Sequence, residues 1–232
     1  MAEIGRGYGS EWHLLRYLGY HRNMLNTEIE KQVKLSNIDW KDFPFSSENQ
    51  SLKRDSEFKG INFLDNEKHK LVFEEWKKYW PQTGNPPNWD AIGVSNENGT
   101  ETFLLVEAKA HFEECMNDCK ASEGSRKIII SAFRKVMPTV QKAASEPEDW
   151  LRKYYQYANR IAMLYFLREN NISAKLLFIY FTGDTFPGKK CPQTADQWNK
   201  KIEKIHNHLK IDDDADLIKH VKHVILPVID MK

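Results

Sequence analysis

Apolar residues recur along this chain at two different spacings, and the places where the spacing changes mark out the elements. After Ser10, a residue suited to capping a helix, Leu14, Leu15 and Leu18 predict a helix from about Glu11 to Leu25, with Gly19 a place to bend or stop it. From Asn37 to Gly60 no period is sustained, and Pro44 and Ser46-Ser47 punctuate the stretch, so 37–60 reads as a loop or insertion. Leu71, Val72, Glu75 and Trp76 predict a second helix over 66–80, stopped by Pro81. Two runs, 88–95 and 101–110, flank Asn98-Gly99, a dipeptide suited to a tight turn, and read as paired antiparallel strands. The segment 127–133 fits a short strand or the start of a helix. Beyond Pro147, 148–171 reads as one long amphipathic helix with Leu151, Tyr154, Tyr155, Ala158, Ile161, Ala162 and Tyr165 on its apolar side. The near-continuous apolar run 175–183 suits a central strand covered on both faces. An amphipathic helix over 194–210 follows, and 217–230 begins as a helix or turn and finishes as a strand, with Pro227 at an edge. The sequence predicts a single α/β domain with a mixed central sheet flanked by helices.

The second strand of the hairpin concentrates the chemistry. Positions 104, 106, 108 and 110 are Leu, Val, Ala and Ala, while 103, 105, 107, 109 and 111 are Phe, Leu, Glu, Lys and His. One face is apolar throughout; the other turns from apolar to charged, so Glu107 and Lys109 project side by side near the strand's end. Burial of either charge alone is strongly unfavourable, so they call for each other, a metal, or both. Folding about Asn98-Gly99 sets position 90 opposite about position 108, one step from Glu107 and Lys109, and position 90 is Asp. Two carboxylates and a lysine suit a hard divalent cation such as Mg²⁺, with Mn²⁺ as a substitute. Asp90, Glu107 and the backbone carbonyl of Ala108 are the candidate ligands, and Lys109 is placed to hold or activate an attacking water. Glu11 shares a helical face with Leu14, Leu15 and Leu18 and reads as an inward-pointing carboxylate that supports the site.

Asp90 followed by Glu107-Ala108-Lys109 in an apolar strand, with an upstream helix bearing Glu11, resembles the PD-(D/E)XK nuclease superfamily, which includes restriction endonucleases, RecB-type nucleases and Holliday-junction resolvases. The resemblance covers roughly residues 5 to 183. It implies a restriction-endonuclease-like core of a helix, three strands, a helix and a strand, with Mg²⁺ on Asp90 and Glu107, Lys109 assisting the water, and hydrolysis of DNA phosphodiester bonds. Trp89, rather than proline, precedes Asp90, although Pro86 and Pro87 lie just upstream. RecB-type members carry a glutamine followed four residues later by tyrosine in the helix after the motif. Here Gln156 is followed by Arg160, an arginine suited to a DNA phosphate, and His111 extends the motif face toward DNA.

Composition narrows the partners. The 232 residues are 41% hydrophobic and 29% charged, and 34 basic against 33 acidic side chains leave a net charge of +1, so any DNA must be met by a local patch. No apolar run approaches membrane-spanning length and no leader pattern opens the chain, so it reads as cytoplasmic. Cys115, Cys119 and Cys191 read as free thiols, and the pairs His206/His208 and His220/His223 lack the compact set of four ligands that zinc takes. Clusters at Lys68–Lys78, Arg126-Lys127 and Lys200-Lys201 read as solvated helix faces. Double-strand cutting by a single-site chain implies a homodimer. The alternative is a non-catalytic nuclease-like module that binds nucleic acid or protein, with Glu107 and Lys109 a structural ion pair, Glu11 a first-turn acid serving the helix dipole, and Gln156 and Arg160 on a solvated helix face.

Overall fold

The computed structural model describes residues 7–41, 58–84, 86–97 and 99–229. The strongest apolar runs form its centre. Strands β1 (Ile38–Trp40), β4 (Ala91–Glu97), β5 (Thr100–Lys109), β6 (Ala174–Thr182) and β7 (Val221–Pro227) lie in that spatial order in a mixed five-stranded sheet. The pairs β1–β4 and β4–β5 are antiparallel, whereas β5–β6 and β6–β7 are parallel. A separate two-stranded ribbon pairs β2 (Phe58–Lys59) with β3 (Asn88–Trp89). Helices α1 (Ser10–Tyr20), α2 (Arg22–Val33), α3 (Lys70–Tyr79), α4 (Glu123–Val140), α5 (Tyr155–Glu169) and α6 (Ala195–Leu209) flank the sheet. None of the described helices is long and apolar enough to cross a membrane.

The alternation along β5 sorts its side chains between two cores. Leu104, Val106, Ala108 and Ala110 pack with Leu14, Leu18, Leu25 and Ile29 of α1 and α2. Phe103 and Leu105 pack on the other face with Trp76, Phe133 and Trp150 beneath α3, α4 and α5. Full burial of such a side chain contributes about 1.5–3 kcal/mol. Because β5 and β6 are covered on both faces, any charge in them must be satisfied within the fold.

Several expectations are corrected. The predicted helix over 11–25 breaks at His21 (φ −128°), past Gly19, and α2 then buries its own stripe of Leu25, Ile29 and Val33. Within the expected loop 37–60, Ile38 and Trp40 point into the core around exposed Asp39, so this short piece is an edge strand; 42–57 lie outside the described residues. The helix over 66–80 starts late, at Lys70, because the Asp65 carboxylate accepts from the Glu67 and Lys68 amides and holds a turn before it. The ambiguous 127–133 belongs to α4, capped by Ser122, with Ile129, Phe133, Val136 and Val140 buried at helical spacing.

The long helix expected over 148–171 is interrupted. A 3-10 turn spans Pro147–Leu151, Lys153 takes a left-handed φ of 60°, and α5 starts only at Tyr155. A distant segment causes the break: the Asn117 amide donates to the Lys153 carbonyl, and the Asn117 carbonyl accepts from Tyr155. Leu151 and Tyr154 are buried as expected, but outside α5. The strand at 175–183, the helix at 194–210 and the final edge strand carrying Pro227 stand as expected, within a residue or so.

Candidate active site

The hairpin register runs from Glu97↔Thr100 to Ala91↔Val106, one residue tighter than expected, so position 90 would fall opposite 107. Asp90 itself leaves the ladder. After Trp89 the chain turns from the ribbon into β4, and the Ala108 amide, beyond the last β4 pair, needs another acceptor. Asp90 supplies it: Oδ2 accepts from Ala108 N–H at 2.6 Å, while the Asp90 amide donates to the Val106 carbonyl. Asp90 Oδ1 makes no hydrogen bond among the described residues, and Asp90 lines a cleft of about 840 Å³. That cleft opens between the 81–88 segment, the approach to α4 and the start of α5.

Glu107 and Lys109 stand on the α5 face of β5, beside Phe178 and Tyr180 of the parallel neighbour β6. Glu107 is 1% exposed and Lys109 9%. The Lys109 ammonium donates to Glu107 Oε1. The second carboxylate oxygen, Oε2, accepts from Arg160 Nε at 2.7 Å and lies 2.6 Å from Nη2. Burial pushes the Glu107 carboxyl upward, yet Arg160 and Lys109 outweigh it and hold it below the usual range. Burial likewise opposes the Lys109 charge, but the carboxylates of Glu107, Asp90 and Glu114 raise its pKa. Asp90 is left less compensated: burial and the Glu107 charge push its carboxyl up to about 8.

Arg160 is not on a solvated face. It is 3% exposed, its Nη1 donates to Asn159 Oδ1 at 2.8 Å, Nη2 donates to the Asn88 carbonyl, and its guanidinium lies 4.9 Å over the Trp89 ring. Trp89, in the place the resemblance gives to proline, is thus a buried platform whose indole N–H donates to the Gly60 carbonyl at 2.9 Å. From Tyr157 to Leu164 α5 is buried all round, which leaves Arg160 no polar side to occupy. Gln156 is half-buried at the cleft, where its backbone amide donates to Asn117 Oδ1 and its Oε1 accepts from Asn117 Nδ2.

Glu11 lies on α1, and His111 lies just beyond the end of β5. Helix α1 packs on the opposite face of β5, and none of the described hydrogen bonds or ion pairs of Asp90, Glu107 and Lys109 reaches Glu11. His111 is buried against Phe186, with Nδ1 3.1 Å from Glu113 Oε2 and Nε2 3.5 Å from Glu114 Oε1. The basic clusters are largely exposed ion pairs, Lys77–Glu74, Lys78–Glu75, Lys127–Glu123 and Lys200–Asp196, whereas Lys201 is buried beside Phe112 and Tyr154. The charged residues that line the cleft are Asp90, Asp118, Lys120 and Arg160.

One polar network escapes sequence reasoning. The Tyr157 hydroxyl sits 2.6 Å from His206 Nε2 and 3.0 Å from His223 Nε2, and His206 Nδ1 lies 2.6 Å from Asp213. Three elements distant in sequence meet there, so no local spacing announces it.

The donor set fits a hard cation in its chemistry. Asp90 lines the cleft and feels the Glu107 charge, although both Glu107 oxygens already carry cationic donors. No group of three or more His, Cys, Asp or Glu side chains suited to a metal occurs among the described residues, so the backbone carbonyl of Ala108, waters and substrate oxygens would complete the shell. No family model matches the chain, and neither a curated protein nor a solved structure matches it.

Proposed function

We propose that this chain is a metal-dependent nuclease of the PD-(D/E)XK type that hydrolyses DNA phosphodiester bonds. The carrying observation is that Asp90, at the wall of an open cleft, is tied by its carboxylate to the amide of Ala108, the residue between the buried and mutually paired Glu107 and Lys109. The order of elements supports the same reading: α1, then the antiparallel set β1, β4 and β5, then α5 and a β6 parallel to β5.

Asp90 Oδ1, Glu107 and the Ala108 carbonyl would hold Mg²⁺ or Mn²⁺, which when bound offsets charge developing on the phosphate. Lys109, held as an ammonium by Glu107, donates a hydrogen bond to the attacking water and aligns it. Asp90 also fixes the end of β5 through the amide of Ala108, the residue between Glu107 and Lys109. Arg160 and Lys120 are the cleft's positive groups for phosphates. A duplex would be cut by two copies.

The test is incubation of the purified chain with Mg²⁺ or Mn²⁺ and DNA. Cleavage is expected, with a loss of at least a hundredfold in Lys109→Ala and Asp90→Asn. Absence of cleavage on every DNA and RNA substrate, or full activity in Lys109→Ala, refutes the proposal. One observation favours the second reading, a binding module without catalysis: Arg160 and Lys109 both pair with the buried Glu107 carboxylate, one on each oxygen, so these three are self-consistent as a structural ion network.

A further inference from the structure

We infer that Arg160 stands in for a divalent cation at Glu107, and that cation and phosphodiester enter together, the phosphate drawing Arg160 away as the cation takes its place. This rests on the metal-dependent reading of the site. With Asp90 ionised, as a metal ligand must be, the formal charges of Asp90, Glu107, Lys109 and Arg160 sum to zero in a largely buried cluster, so a divalent cation added alone leaves an excess of two positive charges where water cannot screen them. It would also compete for Glu107 Oε2 with two guanidinium donors, Nε at 2.7 Å and Nη2 at 2.6 Å.

The guanidinium is held, yet within reach of a ligand. Its other partners are the Asn88 carbonyl and the Asn159 side chain, and Arg160, Asn88 and Asn159 all line the cleft that Asp90 borders. A phosphate entering that cleft meets a planar, multidentate donor already at its wall. Transfer of the guanidinium from Glu107 to the phosphate keeps every donor satisfied, frees one carboxylate oxygen for the cation and brings a compensating negative charge. The ring of Trp89 beneath the guanidinium gives it a surface along which to shift. Cation and nucleic acid therefore bind with positive coupling, and the coupling runs equally in both directions.

The test is a calorimetric titration of Mn²⁺ into the full chain, alone and saturated with a cleavage-resistant phosphorothioate oligonucleotide, after subtraction of the Mn²⁺ taken up by the oligonucleotide itself. Wild type is expected to bind Mn²⁺ at least tenfold more tightly with the oligonucleotide. Arg160→Gln is expected to bind Mn²⁺ at least tenfold more tightly than wild type without it, and to lose most of the coupling. Equal wild-type affinity with and without oligonucleotide overturns the inference, and this arm stands even if Arg160→Gln does not fold. A folded Arg160→Gln with unchanged Mn²⁺ affinity also overturns it, while leaving the metal reading intact. If Asp90→Asn binds Mn²⁺ as wild type does in every arm, the metal reading falls and the inference falls with it.

Discussion

Glu107→Gln is the sharpest test of how the cluster is held. The substitution keeps the size of the side chain and removes its charge. In the wild type one carboxylate, 2% exposed, carries Lys109 on Oε1 and Arg160 on Oε2, and the side chains of those partners are only 11% and 4% exposed. A neutral amide has one acceptor oxygen, so two buried cations are left with a single weak partner and with Asp90. Removing one member of a buried ion pair costs about 3–5 kcal/mol, because the remaining charge cannot be rehydrated. For a chain of this size each kcal/mol lowers Tm by about 2–4 °C, which gives a drop of about 6–20 °C. Lys109→Met is the control. It fills the same space and leaves Glu107 paired with Arg160, so about 1–3 kcal/mol is expected. Urea unfolding followed by tryptophan fluorescence, with thermal melts alongside, measures both. If Glu107→Gln costs less than about 1 kcal/mol, or less than Lys109→Met, the cluster is not the desiccated ion network described.

Two further outcomes follow from other parts of the fold. Burial, with the neighbouring His206, pulls the His223 imidazole down to about 3, so the folded state keeps it neutral while the unfolded chain takes up a proton below about pH 6.5. Stability is therefore full above that pH and falls as the pH drops, by about 2 kcal/mol at pH 5; urea midpoints between pH 7.5 and 5 should slope less in His223→Phe, and an equal slope contradicts the assignment. Gly93→Ala should loosen the edge strand, because a Cβ there would lie 3.1 Å from Ile38 Cγ2 and 3.3 Å from the Trp40 ring. A loss of about 1–3 kcal/mol and faster amide exchange in 38–40 are expected, and unchanged exchange argues against the close contact.

The legible parts of this structure are those where local pattern and tertiary burial agree. The alternation from Phe103 to His111 gave the two faces of β5, and Asn98-Gly99 gave the pairing that brings Asp90 to the strand's end, to within one residue of register. The parts that were not legible depend on partners far along the chain. Three residues at Ile38–Trp40 are too few to establish a period, and they become a strand because β4 offers an edge. Asn117 decides where α5 begins from more than thirty residues away. Arg160 looked polar-facing because it follows Gln156 by one turn, but the depth of α5 against the sheet makes it an internal counter-ion of Glu107. Glu11 sits on α1, which packs on the other face of the sheet.

The most direct test of the central claim is a crystal structure of the chain with a phosphorothioate oligonucleotide and Mn²⁺, examined for anomalous scattering. The account predicts a Mn²⁺ peak within coordination distance of Asp90 and Glu107, with a phosphate oxygen in the same shell and Arg160 turned from Glu107 to the phosphate. Bound oligonucleotide with no Mn²⁺ at that position, and Arg160 still on Glu107, would contradict it.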